Sequence, residues 1–232
     1  MNNKILKELN KVYSKQNPSV YIKNFLKKNR IKNLVENRKK FLLQLKLPQK
    51  VFEKSYLLDL GCGSGQNSIV YDFLGAKCTL VEFNRHSFQN TKKLFNVHAN
   101  NSFKVINKDI FKFKTKKKFD IVVLNGVAHH TFDPKKSIDL ACKFLKRSGF
   151  IILGVSTHAG WFQRNLQRAI LYTVSSTQEE IIKNAKNLFK NHLKRAKKFG
   201  LRTNNQVIYD TYVNPTFNCV SHNEVINIFK KN

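Results

Sequence analysis

The sequence predicts an α/β protein, doubly wound around a mainly parallel sheet, and three observations predict it. Short apolar runs of strand type recur through the middle of the chain, with helical stretches at 66–74, 85–97 and 134–146 between them. The first run ends in a glycine-rich turn that opens directly into a helix. The runs end near an acid or amide, at Asp59, Glu82 and Asn125.

The first run carries most of the information. Residues 57–69 read LLDLGCGSGQNSI. Leu57 and Leu58 end the strand, Asp59 closes it, and Gly61, Gly63 and Gly65 alternate with Cys62 and Ser64. Gln66, Asn67 and Ser68 open the helix. Glycine permits the left-handed backbone of a tight turn and lets a ligand approach closely. The helix start offers free N–H groups and a partial positive charge. A dinucleotide fingerprint needs a third glycine where Gln66 stands, so the spacing is G-x-G-x-G rather than G-x-G-x-x-G.

The later runs follow in order. Residues 77–83 read KCTLVEF and end in Glu82, 17 residues past Gly65, with Phe83 after it. A doubly wound fold places there the carboxylate that takes two ribose hydroxyls. Residues 105–111 read VINKDIF, 119–134 read FDIVVLNGVAHHTFDP, and 149–156 read GFIILGVS after a turn at Lys146, Arg147, Ser148 and Gly149. Asp133 followed by Pro134 is a helix start, acid at the N-cap and proline at the first position. The segment between Asn107 and Phe119 is short and Lys-rich, room for a turn or two rather than a full crossover helix.

Taken together, residues 51–155 resemble the class I, Rossmann-like S-adenosylmethionine-dependent methyltransferases, whose first motif is (D/E)-x-G-x-G-x-G and whose fourth-strand segment is D-x-V-x-x-x-G-V-L-H-H-x-x-D-P. Ala128 stands where that segment usually has Leu. The resemblance implies S-adenosyl-L-methionine as cofactor, held by Asp59, Gly61, Cys62, Gly63, Gly65, Glu82, Phe83, Asp109, Ile110, Asn125 and Gly126. Glu82 would take the ribose hydroxyls, Asp109 the adenine amine, and Ile110 would pack on the ring. Glu82→Ala is then expected to weaken cofactor binding with little effect on folding, and Gly63→Val to abolish binding. Singly, Glu82 also reads as a solvated strand end and Asp109 as a turn cap.

Methyl transfer from a sulfonium needs alignment of a nucleophile and exclusion of water. A base is needed only where the nucleophile starts protonated. His129 and His130 lie just beyond the fourth strand, and His130 is preferred over His129 for that role. The competing reading has one histidine fix the loop through a backbone hydrogen bond. His158 and Trp161, then Tyr209, Asp210 and Tyr212, are candidates for the substrate wall. No metal cluster is expected.

The chain has 232 residues with 41% hydrophobic content, enough for one large domain or a domain with a lid. Four cysteines, Cys62, Cys78, Cys142 and Cys219, show neither a C-x-x-C pair nor a zinc spacing, which fits a reducing cytoplasm. Cys78 and Cys142 read as buried thiols. The first 16 residues are charged throughout, with no apolar stretch of signal-peptide length, and no run is long enough to cross a bilayer. Net charge is +29, from 35 Lys and 8 Arg against 14 acids. Lys, Asn, Ile and Phe share A/T-rich codons, the lysines are spread along the chain, and nucleic-acid readers lean on Arg. A solvated surface is therefore preferred, with weak attraction to RNA or an anionic membrane surface.

Residues 1–50 are expected to form an N-terminal helical cover, with a break at Asn17-Pro18 and apolar positions at Tyr21, Ile22, Phe25 and Leu26. Residues 51–156 form the cofactor core, and 157–232 a helical lid and C-terminal segment. In that last part 160–174 is amphipathic, Ser176 to Glu179 is a capping box opening a helix to about Lys198, and 207–215 is a connector or short strand. Ser221 and Glu224 form a second capping box. The usual last two strands are expected to be absent, as in a truncated or differently closed fold.

For the acceptor, the fourth strand ends in Asn125, Gly126, Val127 and Ala128 rather than the Asn/Asp-Pro-Pro-Tyr/Phe of base N-methyltransferases. The segment resembles enzymes that methylate small molecules at O or C, so a hydroxylated aromatic or lipid-like acceptor is the first choice. An RNA methyltransferase is the runner-up, and a non-catalytic scaffold that keeps the fold is the third reading.

Overall fold

The computed structural model describes residues 7–8, 11–12, 28–200 and 203–232. The expected break at Asn17-Pro18 and the positions Tyr21, Ile22, Phe25 and Leu26 lie outside the described residues.

Five parallel strands form one sheet in the order β3-β2-β1-β4-β5. They are β1 (Tyr56–Leu60), β2 (Lys77–Glu82), β3 (Phe103–Asn107), β4 (Phe119–Asn125) and β5 (Leu145–Gly154). Leu57, Leu58 and Leu60 are fully buried, because helices cover both faces of a parallel sheet. That is why these strands read as continuous apolar runs rather than alternating ones. The order reverses between β1 and β4, and a doubly wound fold opens its ligand crevice there, at the strands' C-terminal ends.

One face is covered by α1 (Lys28–Gln44), α2 (Ser68–Phe73) and α3 (Arg85–His98). Ile31, Val35 and Leu42 of α1 pack there with Leu57, Ile121 and Val123. The other face lies under α4 (Pro134–Lys143) and α9 (His222–Lys231), through Ile138, Ala141, Val225 and Ile228. A third apolar cluster belongs to α5 (His158–Thr173), α6 (Gln178–Leu188), α7 (Lys190–Gly200) and α8 (Asn204–Ile208), with Val12 packed against it.

Several expectations hold in kind and shift in place. Asp133 caps α4 through the N–H of Lys136, and Ser221 and Glu224 form the capping box of α9. The capping box of α6 is Thr177 with Glu180, one residue later than Ser176 with Glu179, because Glu180 reaches back to the Thr177 N–H. The crossover after β3 is a single turn, Ile110–Lys112.

Others are corrected. The expected turn at Lys146 to Gly149 is instead a bulge within β5: Phe119 faces Leu145 and Ile121 faces Phe150, so the extra residues loop out of the ladder. The single helix to Lys198 is two helices, broken at Phe189. The connector or strand at 207–215 is α8 followed by a π-turn, Tyr209–Val213. Apolar alternation there arises because both sides of this short helix are buried, with Val207, Ile208, Tyr212 and Val213 all in the third cluster. Cys78 is buried as expected, but Cys142 is only half-buried. Among the described residues nothing pairs with the outer edge of β5 except a bridge at its tip, where Val220 N–H donates to Ser156.

Candidate active site

The β1 turn is held from both sides. Gly61 and Cys62 donate their N–H groups to Val81 of β2, at 2.8 and 3.2 Å. Gly61 has φ of 79°, and a Cβ there would lie 2.7 Å from a Val127 methyl. Gly61 is therefore glycine for a turn and for the loop after β4, which closes on it. Thr91 of α3 donates to the Gly63 carbonyl at 2.7 Å and fills the space beside Gly65. Cys62 sits in this packing with its thiol pKa pushed up by burial.

The two acids of the turn are both buried. Glu82 is 5% exposed and accepts from the N–H of Gly63 at 2.9 Å and of Asn84 at 2.8 Å. Burial raises its pKa to about 7. Its carboxylate thus ties the end of β2 to the glycine turn, which corrects the expectation that Glu82→Ala has little effect on folding. Removing it strips acceptors from two N–H groups, so folding pays as well as binding. Asp59, 4% exposed, accepts from Ser68 Oγ at 2.6 Å. Burial raises its pKa to about 6, partly offset by Ser68 and by the Arg38 charge from α1. It supports the start of α2 beneath the turn.

Phe83 is half-buried past Glu82, its carbonyl bonded by Asn107 Nδ2. Asp109 caps the turn after β3 by accepting from Phe111 N–H at 2.9 Å, and Ile110 is buried in the core on the α4 face. Asn125 ends β4 with its side chain over Gly154, where a Cβ would collide with Asn125 Oδ1. Gly126 donates to the Gly154 carbonyl and is exposed, with φ of 75°.

The two histidines differ. His130 Nε2 lies 3.3 Å from Asp210 Oδ1, and its Nδ1 is 2.9 Å from Asn214 Nδ2 and 3.3 Å from the Thr216 carbonyl. An Nδ1 that accepts from the Asn214 amide leaves the proton on Nε2, facing Asp210. Both of its nitrogens are engaged by the C-terminal segment. His129 is 9% exposed, its Nδ1 is buried with no hydrogen-bond partner, and burial lowers its pKa to about 3. Its ring lies 5.1 Å from Phe217, and the Phe217 ring packs against Trp161 with centroids 3.9 Å apart and planes tilted by 36°. His129 carbonyl accepts from Asn218 N–H, and Thr131 carbonyl from Asn218 Nδ2. The π-turn is fastened in turn by Arg168, which donates to the carbonyls of Thr211, Tyr212 and Asn214.

Of the expected wall residues, Trp161 and Asp210 reach the histidines, while His158 is exposed at the start of α5. Tyr212 turns into the third cluster, bonded to His192 and Gln167. Asn214, Phe217 and Asn218 were not legible as site residues, since no local motif marks them. Gln66 was named only as a helix opener. It is 6% exposed, and both amide atoms are buried without a partner. A donor and an acceptor left unmet beside the glycine turn fit the ammonium and carboxylate of an amino-acid moiety such as S-adenosylmethionine carries. Among the described residues no group of three His, Cys, Asp or Glu is placed to hold a metal ion. No helix among them is long and apolar enough to cross a membrane.

A five-stranded parallel sheet, a glycine turn at its switch point and a buried acid ending β2 together define the class I S-adenosylmethionine-dependent methyltransferase fold. The chain belongs to the methyltransferase domain family, whose model matches residues 52–230. Among solved structures it is similar to PKMT2 from Rickettsia typhi, at 19% identity and a TM-score of 0.60, over 78% of this chain and 38% of that one. It is similar to the same protein in complex with AdoHcy, at 19% identity and a TM-score of 0.59, over 77% and 38%. The chain thus spans well under half the length of PKMT2. No curated protein matches it.

Proposed function

We propose that this chain transfers the methyl group of S-adenosylmethionine to a small-molecule acceptor, at oxygen or carbon of a hydroxylated aromatic or lipid-like compound. The observation that carries the reading is the wall beyond β4, where Trp161, Phe217 and His129 form an aromatic surface around a buried, unpartnered Nδ1. Aromatic faces suit a planar or apolar acceptor, and an imidazole held neutral by burial, with its Nδ1 unpartnered, suits a hydrogen bond that orients an acceptor hydroxyl. On this reading His129 meets the acceptor, and His130, gripped by Asp210 and Asn214, holds the loop. The glycine turn, Glu82 and Gln66 hold the cofactor, and residues 157–232 act as a lid whose inner wall is Phe217 and Trp161. When bound, S-adenosylmethionine supplies an activated methyl, and the protein aligns the nucleophile and excludes water. The AdoHcy complex of PKMT2 supports the cofactor.

Calorimetric titration with S-adenosylmethionine and S-adenosylhomocysteine tests the first half, with micromolar binding expected. Transfer of labelled methyl to a panel of phenols, enols and hydroxylated lipids tests the second. Binding without transfer to any of them, alongside transfer to RNA, would replace the acceptor class. Absence of binding by the folded chain would favour a scaffold.

A further inference from the structure

Helix α5 is amphipathic the wrong way round for a protein that ends at its own surface. Its charged side chains point inward: Arg168 binds three carbonyls of the 211–214 segment, and Arg164 reaches Gln167. Its apolar residues point out. Phe162, Leu166, Ile170 and Val174 recur every four residues along one side and are 64%, 50%, 47% and 54% exposed. Residues on that spacing share a helix face, so these four make one continuous stripe.

Two observations decide what covers the stripe. The first is area. The four side chains expose roughly 400 Å² of apolar surface, about half of the ~800 Å² per partner that a stable protein interface buries. The second is charge. Residues 158–200 hold nine Lys and Arg against two Glu, and the chain carries +29. Two copies would repel each other, whereas an anionic surface would attract. A modest apolar stripe on a strongly cationic body is the arrangement that lies in a membrane interface, the apolar side chains dipping below the headgroups while the charge holds the surface.

We infer that the outer face of α5 docks on an anionic membrane surface. Phe162, Leu166 and Ile170 enter the interface, and the net positive charge of the chain provides the attraction. The inference is independent of the methyl acceptor and of whether the cofactor site is active. It adds one geometric consequence: Trp161, which packs against Phe217, is the residue before Phe162, so the docked face begins one residue from the aromatic wall.

The test is co-sedimentation of the full chain with vesicles of phosphatidylcholine alone and of phosphatidylcholine with an equal share of phosphatidylglycerol. Binding to the anionic vesicles is expected to be at least tenfold tighter, to weaken with added salt, and to drop at least tenfold further in Phe162→Ser/Leu166→Ser/Ile170→Ser. These positions are exposed, so the variant should melt like the parent. Should it not, Ile170→Trp provides the readout, its fluorescence being quenched by bromine on the acyl chains above the Trp161 background. No binding to anionic vesicles at low salt overturns the proposal. Equal binding by parent and triple variant, or no added quenching, shows charge acting without the stripe. A parent that is dimeric without lipid, made monomeric by the triple variant, assigns the stripe to a second copy. Binding of RNA that the triple variant loses while vesicle binding is unchanged assigns it to nucleic acid.

Discussion

Glu82 and the Gly63 N–H it accepts are 19 residues apart, and Thr91 reaches the same glycine from 28 residues away. On the other side of the cleft, His130 meets Asn214 across 84 residues, and Asn218 reaches Thr131 across 87. The cofactor side is assembled from one strand-turn-helix unit and its neighbour. The side proposed to meet the acceptor is built only when the helical segment from 157 onward has docked. On the proposed reading such a site separates its tasks: damage to the near side is expected to remove cofactor binding, and damage to the far side to spare it.

The sharpest way to break that comparison is Gly61→Val, because Gly61 is where the two sides touch. The residue would sit at φ of 79° with its Cβ against Val127, at a cost expected to reach about 3 kcal/mol or more. Thermal unfolding should show a large drop, and titration should find no cofactor binding. An unchanged melting temperature would mean that the turn and the β4 loop do not pack together.

Asp210→Ala should have a smaller and one-sided effect. It removes the carboxylate 3.3 Å from His130 Nε2 and leaves the glycine turn alone. Cofactor affinity should stay within twofold, while turnover falls on the order of ten- to a hundredfold, as expected when a positioned group loosens by an ångström. Equal loss of cofactor binding would show that the two sides are not separable.

Glu82→Gln sharpens the comparison at the scale of a few degrees. Burial raises the Glu82 pKa to about 7 from an ordinary 4.5, so its contribution to stability is full below about pH 4.5 and is lost as pH rises through 7. His129 runs the other way. Its pKa is lowered to about 3, so its contribution is present above pH 6.5 and is lost as pH falls toward 3. The difference in melting temperature between parent and Glu82→Gln should therefore shift in favour of the variant from pH 5 to pH 8, at about 2–4 °C per kcal/mol. A difference that stays flat would place Glu82 in an ordinary, solvated setting.

The same contrast explains what was legible in the sequence. Asp59, the three glycines and Glu82 announce themselves because strand, turn and acid follow each other along the chain, and the sheet they predict is the sheet observed. Their local partners were less legible. Glu82 bonds to backbone N–H groups, which leave no trace in side-chain identity. The far side was legible only as a list: His129, His130, Trp161 and Asp210 could be named, but nothing in their spacing says that Asp210 chooses His130 or that Phe217 lies between His129 and Trp161. The π-turn at 209–213 was missed because its residues are buried on more than one side, which erases the helical period.

Asn125 and Gly154 stand opposite each other on β4 and β5, and the Asn125 amide occupies the volume a larger residue at 154 would need. A side chain at 154 therefore has to displace the Asn125 amide. An alanine at 154 requires the Asn125 amide to swing aside or shorten, and either change alters the end of β4 from which the histidine loop departs. In the history of such a protein the two would be expected to change as a pair, and the edge strand would then carry a record of changes in what the site accepts.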